Sequence, residues 1–325
     1  MVAVIRHPRL AGAGALLLLS VPSLALAHGA TAPAPQFPAV LLTWTFEPIP
    51  IVAILLAAIG YAWAVRQVGR HHPANRPGRG RTVAFMAGLA AIALALLSPI
   101  EAYEGQLFSV HMVQHMLLEL VAAPLLLLGA PITLTLRASS SSVRRRLLTI
   151  LQSRVVHLIS FPLVAWLLFA AVNWGWHLSE YYNLALENVP LHYFQHATFL
   201  GAALLFWWPV IGRDPSPWRM PHPVRLFYLF LAMPQNSFLG VALMSAPHVL
   251  YQHYLTNLRT WGLSPLDDQN LGGVLMWVFG DVVFLLAMGL VVASWVRLED
   301  RRTARLDARL DAEHAGSERT AERTA

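Results

Sequence analysis

The chain has 325 residues, 56% of them hydrophobic and only 12% charged, against about 25% charged residues in an ordinary soluble domain. That deficit makes lipid the main solvent. The net charge is +6 and all 23 basic residues are Arg, but they fall in short segments between apolar runs, where membrane orientation places them, so nucleic acid is not an expected partner. There is no Cys, which excludes disulfides and thiolate metal sites and leaves His, Met, carboxylates or the amino terminus as donors.

Residues 1–27 read as a signal peptide: Arg6 and Arg9, an apolar stretch from Leu10 to Leu19, then Ala25-Leu26-Ala27. Cleavage after Ala27 would leave His28 as the new amino terminus. Residues 28–298 then form an all-α polytopic membrane domain, and residues 299–325 a charged cytoplasmic tail. About seven apolar runs are long enough to approach the roughly 30 Å of a hydrocarbon core. They lie near Ile49–Val65, Thr82–Leu97, Gln106–Leu128, Val155–Trp174, Leu191–Ile211, Val224–Ser245 and Leu271–Trp295.

The connections alternate in charge. The Arg-rich ones hold Arg66 to Arg81, Arg137 to Arg154, Arg213 to Arg225, and the start of the tail. The others carry Glu101 and Glu104, Glu180 and Glu187, and Asp267 and Asp268, with Arg259 alone among them. This alternation predicts an outer amino terminus and a cytoplasmic carboxyl terminus, the orientation a cleaved signal peptide also requires.

The third run opens with His111-Met-Val-Gln-His115 and the fifth with His192-Tyr-Phe-Gln-His196. Both read His-x-x-Gln-His, and both runs start from the outer side. Spacing by four puts each pair on one helix face, about 6 Å apart along the axis. Four imidazoles at one depth point to a metal centre, with His111, His115, His192 and His196 as its ligands. His177, His248, Met112, Met116, Glu119, Asp281 and His28 are further candidates. Imidazole suits copper, zinc and iron, and thioether favours cuprous copper. The same Met residues also suit core filling, and Glu119 and Asp281 also suit hydrogen bonding between helices.

The His111 run continues to Ala123-Pro124-Leu-Leu-Leu-Leu-Gly129-Ala130-Pro131. It is followed by His192-Tyr-Phe-Gln-His196, Trp207-Trp208-Pro209 and Asp268-Gln-Asn-Leu-Gly272-Gly273. In this order the motifs resemble the CtaG-type cytochrome c oxidase assembly factors, the polytopic family linked to caa-type oxidases. The resemblance covers roughly Trp44 to Arg297. It implies a bacterial plasma-membrane protein that matures a haem-copper oxidase, with copper delivery as the activity and oxidase subunits as partners; a periplasmic copper chaperone is a further candidate partner. It implies no ligand set. Three other readings stay open at this point: a membrane-bound dimetal oxidase or hydroxylase, a haem-binding membrane protein, and a copper permease.

Overall fold

The computed structural model describes residues 34–71, 77–257 and 259–324. The expected signal peptide and His28 lie outside them. The described residues are helical and contain no strand.

Helix α1 (Pro48–His71) and α2 (Arg79–Leu97) cross first, and the short α3 (Pro99–Glu104) follows a break at Ser98. Pro99 stands at the start of α3, where its missing N–H costs nothing, and Ser98 Oγ accepts from the Ile100 N–H at 3.2 Å. The third crossing is composite: α4 (Phe108–Met116), a π-helical stretch over Leu117–Ala122, and α5 (Ala123–Leu128). Pro124 opens α5. Its missing N–H would interrupt a regular α-ladder, and the wider π turn just before it absorbs the irregularity. Beyond it come α6 (Pro131–Ala138), α7 (Ser141–Leu151) and α8 (Arg154–Ile159).

The expected fourth run is divided. A break before Pro162 separates α8 from α9 (Pro162–Trp176), which has 15 residues. At 1.5 Å per residue, α9 extends roughly 22 Å, short of a full hydrocarbon core. The remaining elements are α10 (Ser179–Glu187), α11 (Val189–Ile211), α12 (His222–Met244), α13 (Gln252–Thr256) and α14 (Pro265–Thr324). Among the described residues, six helices are long and apolar enough to cross a membrane, with α9 as a shorter apolar helix. Residues of the charged tail continue α14 as helix to Thr324.

Two remote carboxylates organise the ends of the bundle. Asp268, at the start of α14, accepts from the Phe108 N–H at 2.7 Å and from the Ser109 N–H and hydroxyl, so it caps α4. At the other end Asp214 accepts from the Ile132 and Thr133 N–H groups at 3.2 and 2.7 Å and caps α6. Helices α12 and α14 pack through Gly240 and Gly273. A Cβ on Gly273 would stand 2.6 Å from the Gly240 carbonyl and 2.5 Å from the Met244 nitrogen. The small residues therefore set this approach. The acidic connections and the starts of α1, α4, α11 and α14 share one end of the bundle, because consecutive crossings run antiparallel. The Arg-rich connections share the other.

Candidate metal centre

The two His-x-x-Gln-His segments lie in the opening turns of α4 and α11. The helices run in the same direction, so equivalent residues meet at equal depth. Helix α11 packs on α9, on α5 and on the π-helical stretch, and the rings occupy the space nearer the acidic end. Within each helix the four-residue step brings the ring centroids to 4.2 Å, for His111 with His115 and for His192 with His196. Across the helices His111 faces His192 at 5.4 Å and His115 faces His196 at 5.7 Å. All four are buried.

Hydrogen bonds orient the rings. His111 Nδ1 lies 2.6 Å from Glu104 Oε2. A carboxylate accepts, so Nδ1–H donates and the His111 lone pair sits on Nε2. That atom faces His115 Nε2 at 2.8 Å. The other ring nitrogen of His115, Nδ1, is buried with no hydrogen-bond partner among the described residues. If His115 donates from Nε2, its Nδ1 lone pair is stranded. If it carries the proton on Nδ1, two lone pairs face each other at 2.8 Å. Either protonation state leaves a polar atom that a metal ion would satisfy.

Gln114, the fourth residue of the first motif, bridges helices. Its amide donates to the Ala95 carbonyl at 3.0 Å and to Glu101 Oε2 at 2.6 Å. Its oxygen therefore accepts from His196 Nε2 at 3.1 Å. Two overlapping ligand groups result. His111, His115 and His196 offer donor atoms within 4.8 Å of one another, and so do Glu104, His111 and His192.

An aromatic cover closes the acidic end. Tyr254 donates to the Glu104 carbonyl at 3.1 Å, so the Tyr182 hydroxyl donates to Tyr254 at 3.1 Å. Tyr251 donates to the His177 carbonyl at 3.1 Å. Burial raises the pKa of all three phenols, which keeps them protonated as donors. His177 lies beside the cluster, its ring centroid 6.3 Å from that of His115. Burial lowers its pKa to about 4, against the opposing hydrogen bond to the Asn173 carbonyl.

The other candidates separate. Met112 is fully buried, with its sulfur 3.4 Å from His177 Nε2. Met116 packs in the apolar core. Glu119 sits in the π-helical stretch and accepts from Asn173 Nδ2 at 3.0 Å. Asp281 accepts from Ser237 at 3.0 Å, a contact between α12 and α14, and does not join the cluster. His248 is exposed in a loop, where its carbonyl accepts from Gln269. Sequence reasoning missed Glu104, Glu101 and Gln114 as site residues. Glu104 lies seven residues before His111, but Gly105 to Leu107 break the helix between them, so helical periodicity does not carry across.

Fold and site together define a membrane-embedded helical bundle with a closed histidine–carboxylate cluster at its acidic end. Residues 59–298 match the family model described as cytochrome c oxidase caa3 assembly factor (Caa3_CtaG). The chain belongs to that family. It is 32% identical over 295 residues to an uncharacterized protein of Mycobacterium bovis, covering 87% of this chain and 44% of the relative. An uncharacterized protein of Mycobacterium tuberculosis gives the same figures. One of Mycobacterium leprae is 29% identical over 283 residues, covering 84% of this chain and 42% of the relative. The chain thus spans less than half the length of these relatives. No solved structure matches it.

Proposed function

We propose that the protein binds copper at an extracytoplasmic cluster of His111, His115, His196 and His192, and supports its delivery to a haem-copper oxidase during assembly. The observation that carries this reading is the His111–His115 contact, where two Nε2 atoms meet at 2.8 Å while His115 Nδ1 has no partner among the described residues. Ligand nitrogens around a tetrahedral first-row ion stand roughly 3.3 Å apart, from bonds of about 2.0 Å. Small ring movements bring the pair to that separation. Glu104 fixes the His111 tautomer so that Nε2 is the ligand atom, and Gln114 anchors the His196 ring. Membership of the family supports an assembly role, and the Arg-rich far end supports an outer position for the cluster.

The geometry favours one ion over two. His111 is common to both ligand groups. With its Nδ1–H donated to Glu104, a neutral imidazole has a single lone pair and serves a single metal. That weighs against a dimetal oxidase. A haem takes one His from each of two facing helices and leaves the four-residue pairing within each helix unexplained, which weighs against haem. Imidazole alone would also take zinc or iron; delivery to an oxidase selects copper.

The test is complementation of a strain lacking the protein. The wild-type chain should restore copper content and activity of the oxidase, and His111→Ala with His115→Ala should not, despite equal abundance in the membrane. Full restoration by the double variant would defeat the proposal.

A further inference from the structure

We propose that Met112 and His177 form a second, soft cation site beside the histidine cluster, suited to a monovalent thiophilic ion such as cuprous copper or silver. The choice of copper as the natural occupant rests on the assembly reading above. The site itself rests on one contact.

His177 Nδ1 lies 2.6 Å from the Asn173 carbonyl oxygen. A carbonyl only accepts, so Nδ1 carries the hydrogen and the lone pair of the neutral ring is on Nε2. The opposite tautomer would press a nitrogen lone pair against that oxygen. Nε2 faces Met112 Sδ at 3.4 Å, and a thioether has no hydrogen to give. Two electron-rich atoms therefore point at each other inside the protein, His177 being 7% exposed and Met112 fully buried. Burying two acceptors face to face is costly unless a cation lies between them.

Both partners are held in place. Tyr251 donates to the His177 carbonyl at 3.1 Å, and Gly272 brings α14 close to the Met112 side chain. With bonds of about 2.0 Å to nitrogen and 2.3 Å to sulfur, a 3.4 Å separation corresponds to an angle of roughly 104° at the ion. That is close to tetrahedral. An uncharged nitrogen–sulfur pair suits a soft monovalent ion, whereas the imidazoles with Glu104 suit a divalent one. The His115 and His177 ring centroids are 6.3 Å apart, so an ion exchanged between the two sites would move only a few ångströms.

The experiment titrates the full chain in detergent with Ag(I) and, separately, with Zn(II). Met112→Leu conserves volume and should keep the fold. It should lose one equivalent of Ag(I), or bind it at least about tenfold more weakly, a change of about 1.4 kcal/mol, with Zn(II) binding unchanged. His177→Gln attacks the pair from the other side and should lose the same equivalent. X-ray absorption of the Cu(I)-loaded protein should show a sulfur neighbour that Met112→Leu lacks. Identical Ag(I) titrations of wild type and both variants, or no sulfur neighbour in wild type, would overturn the site. Failure of the histidine-cluster reading has a different signature. A His111→Ala, His115→Ala, His196→Ala protein would then bind Zn(II) like wild type, while Met112→Leu still lost its Ag(I).

Discussion

Glu104 and His111 share a 2.6 Å hydrogen bond although a break in the helix separates them. The carboxylate comes from the last turn of α3 and the imidazole from the first turn of α4, so the bond fixes both the tautomer and the angle between the segments. Glu104→Gln keeps the shape and removes the charged acceptor. It should weaken metal binding about 10- to 100-fold, as loss of an outer partner of a ligating His typically does. Competition with a chromogenic chelator reads this directly, and unchanged affinity would leave Glu104 a purely structural residue.

Asp268→Ala should destabilise the protein by about 1–2 kcal/mol, the usual cost of losing a helix N-cap. Asp268 caps α4 at Phe108 and Ser109, just before His111, and lies 3.6 Å from Arg259. The variant should therefore lose thermal stability and metal affinity together in detergent. Stability alone would fall if the α4 amino terminus did not set the position of His111.

Gly273→Ala should cost about 1–3 kcal/mol by overpacking. A methyl there meets backbone atoms of Gly240 and Met244 below 3 Å, and backbone cannot move aside as a side chain can. A thermal melt comparing it with Gly289→Ala, whose added Cβ meets nothing within 4 Å, isolates the close approach. Equal melting of the two would contradict the packing account.

The absence of Cys makes orientation testable with single introduced thiols. Glu180→Cys, in the acidic connection, should react with a membrane-impermeant maleimide in intact cells. Val143→Cys, beside Arg144 to Arg146 and exposed on α7, should react only after the cells are opened. The reverse pattern would invert the topology and put the cluster on the cytoplasmic side.

The membrane class, the helical runs and the meeting of the two His pairs were legible because each depends on local spacing. Hydropathy marks the runs, a step of four aligns each pair, and a shared direction brings the pairs to one depth. What was not legible depends on breaks and on remote partners. Gly105 to Leu107 interrupt the helix and hide Glu104 from periodicity. Gln114 was visible as part of the motif, but its role needs the Ala95 carbonyl and Glu101 from the preceding crossing. Pro162 shortens the fourth run to α9, which an apolar window smooths over. Depth alone left Asp281 either a ligand or a hydrogen-bond partner between helices, and its side chain accepts from Ser237 across a helix pair. The Asp268-Gln-Asn-Leu-Gly-Gly motif acquires its meaning only in three dimensions. Asp268 caps α4, Gln269 accepts from the Leu250 N–H at 2.7 Å, and the two glycines admit Phe108 and α12.

The most direct measurement of the central claim is the metal content of the purified protein by mass spectrometry, for wild type and for a variant carrying His111→Ala, His115→Ala, His192→Ala and His196→Ala. Near-stoichiometric copper is expected in the wild type and its loss from the cluster in the variant. Wild-type protein that takes up no copper after loading with cuprous and cupric ions, or a variant that binds as much as wild type, would contradict it and leave the four histidines as packing residues of a scaffold.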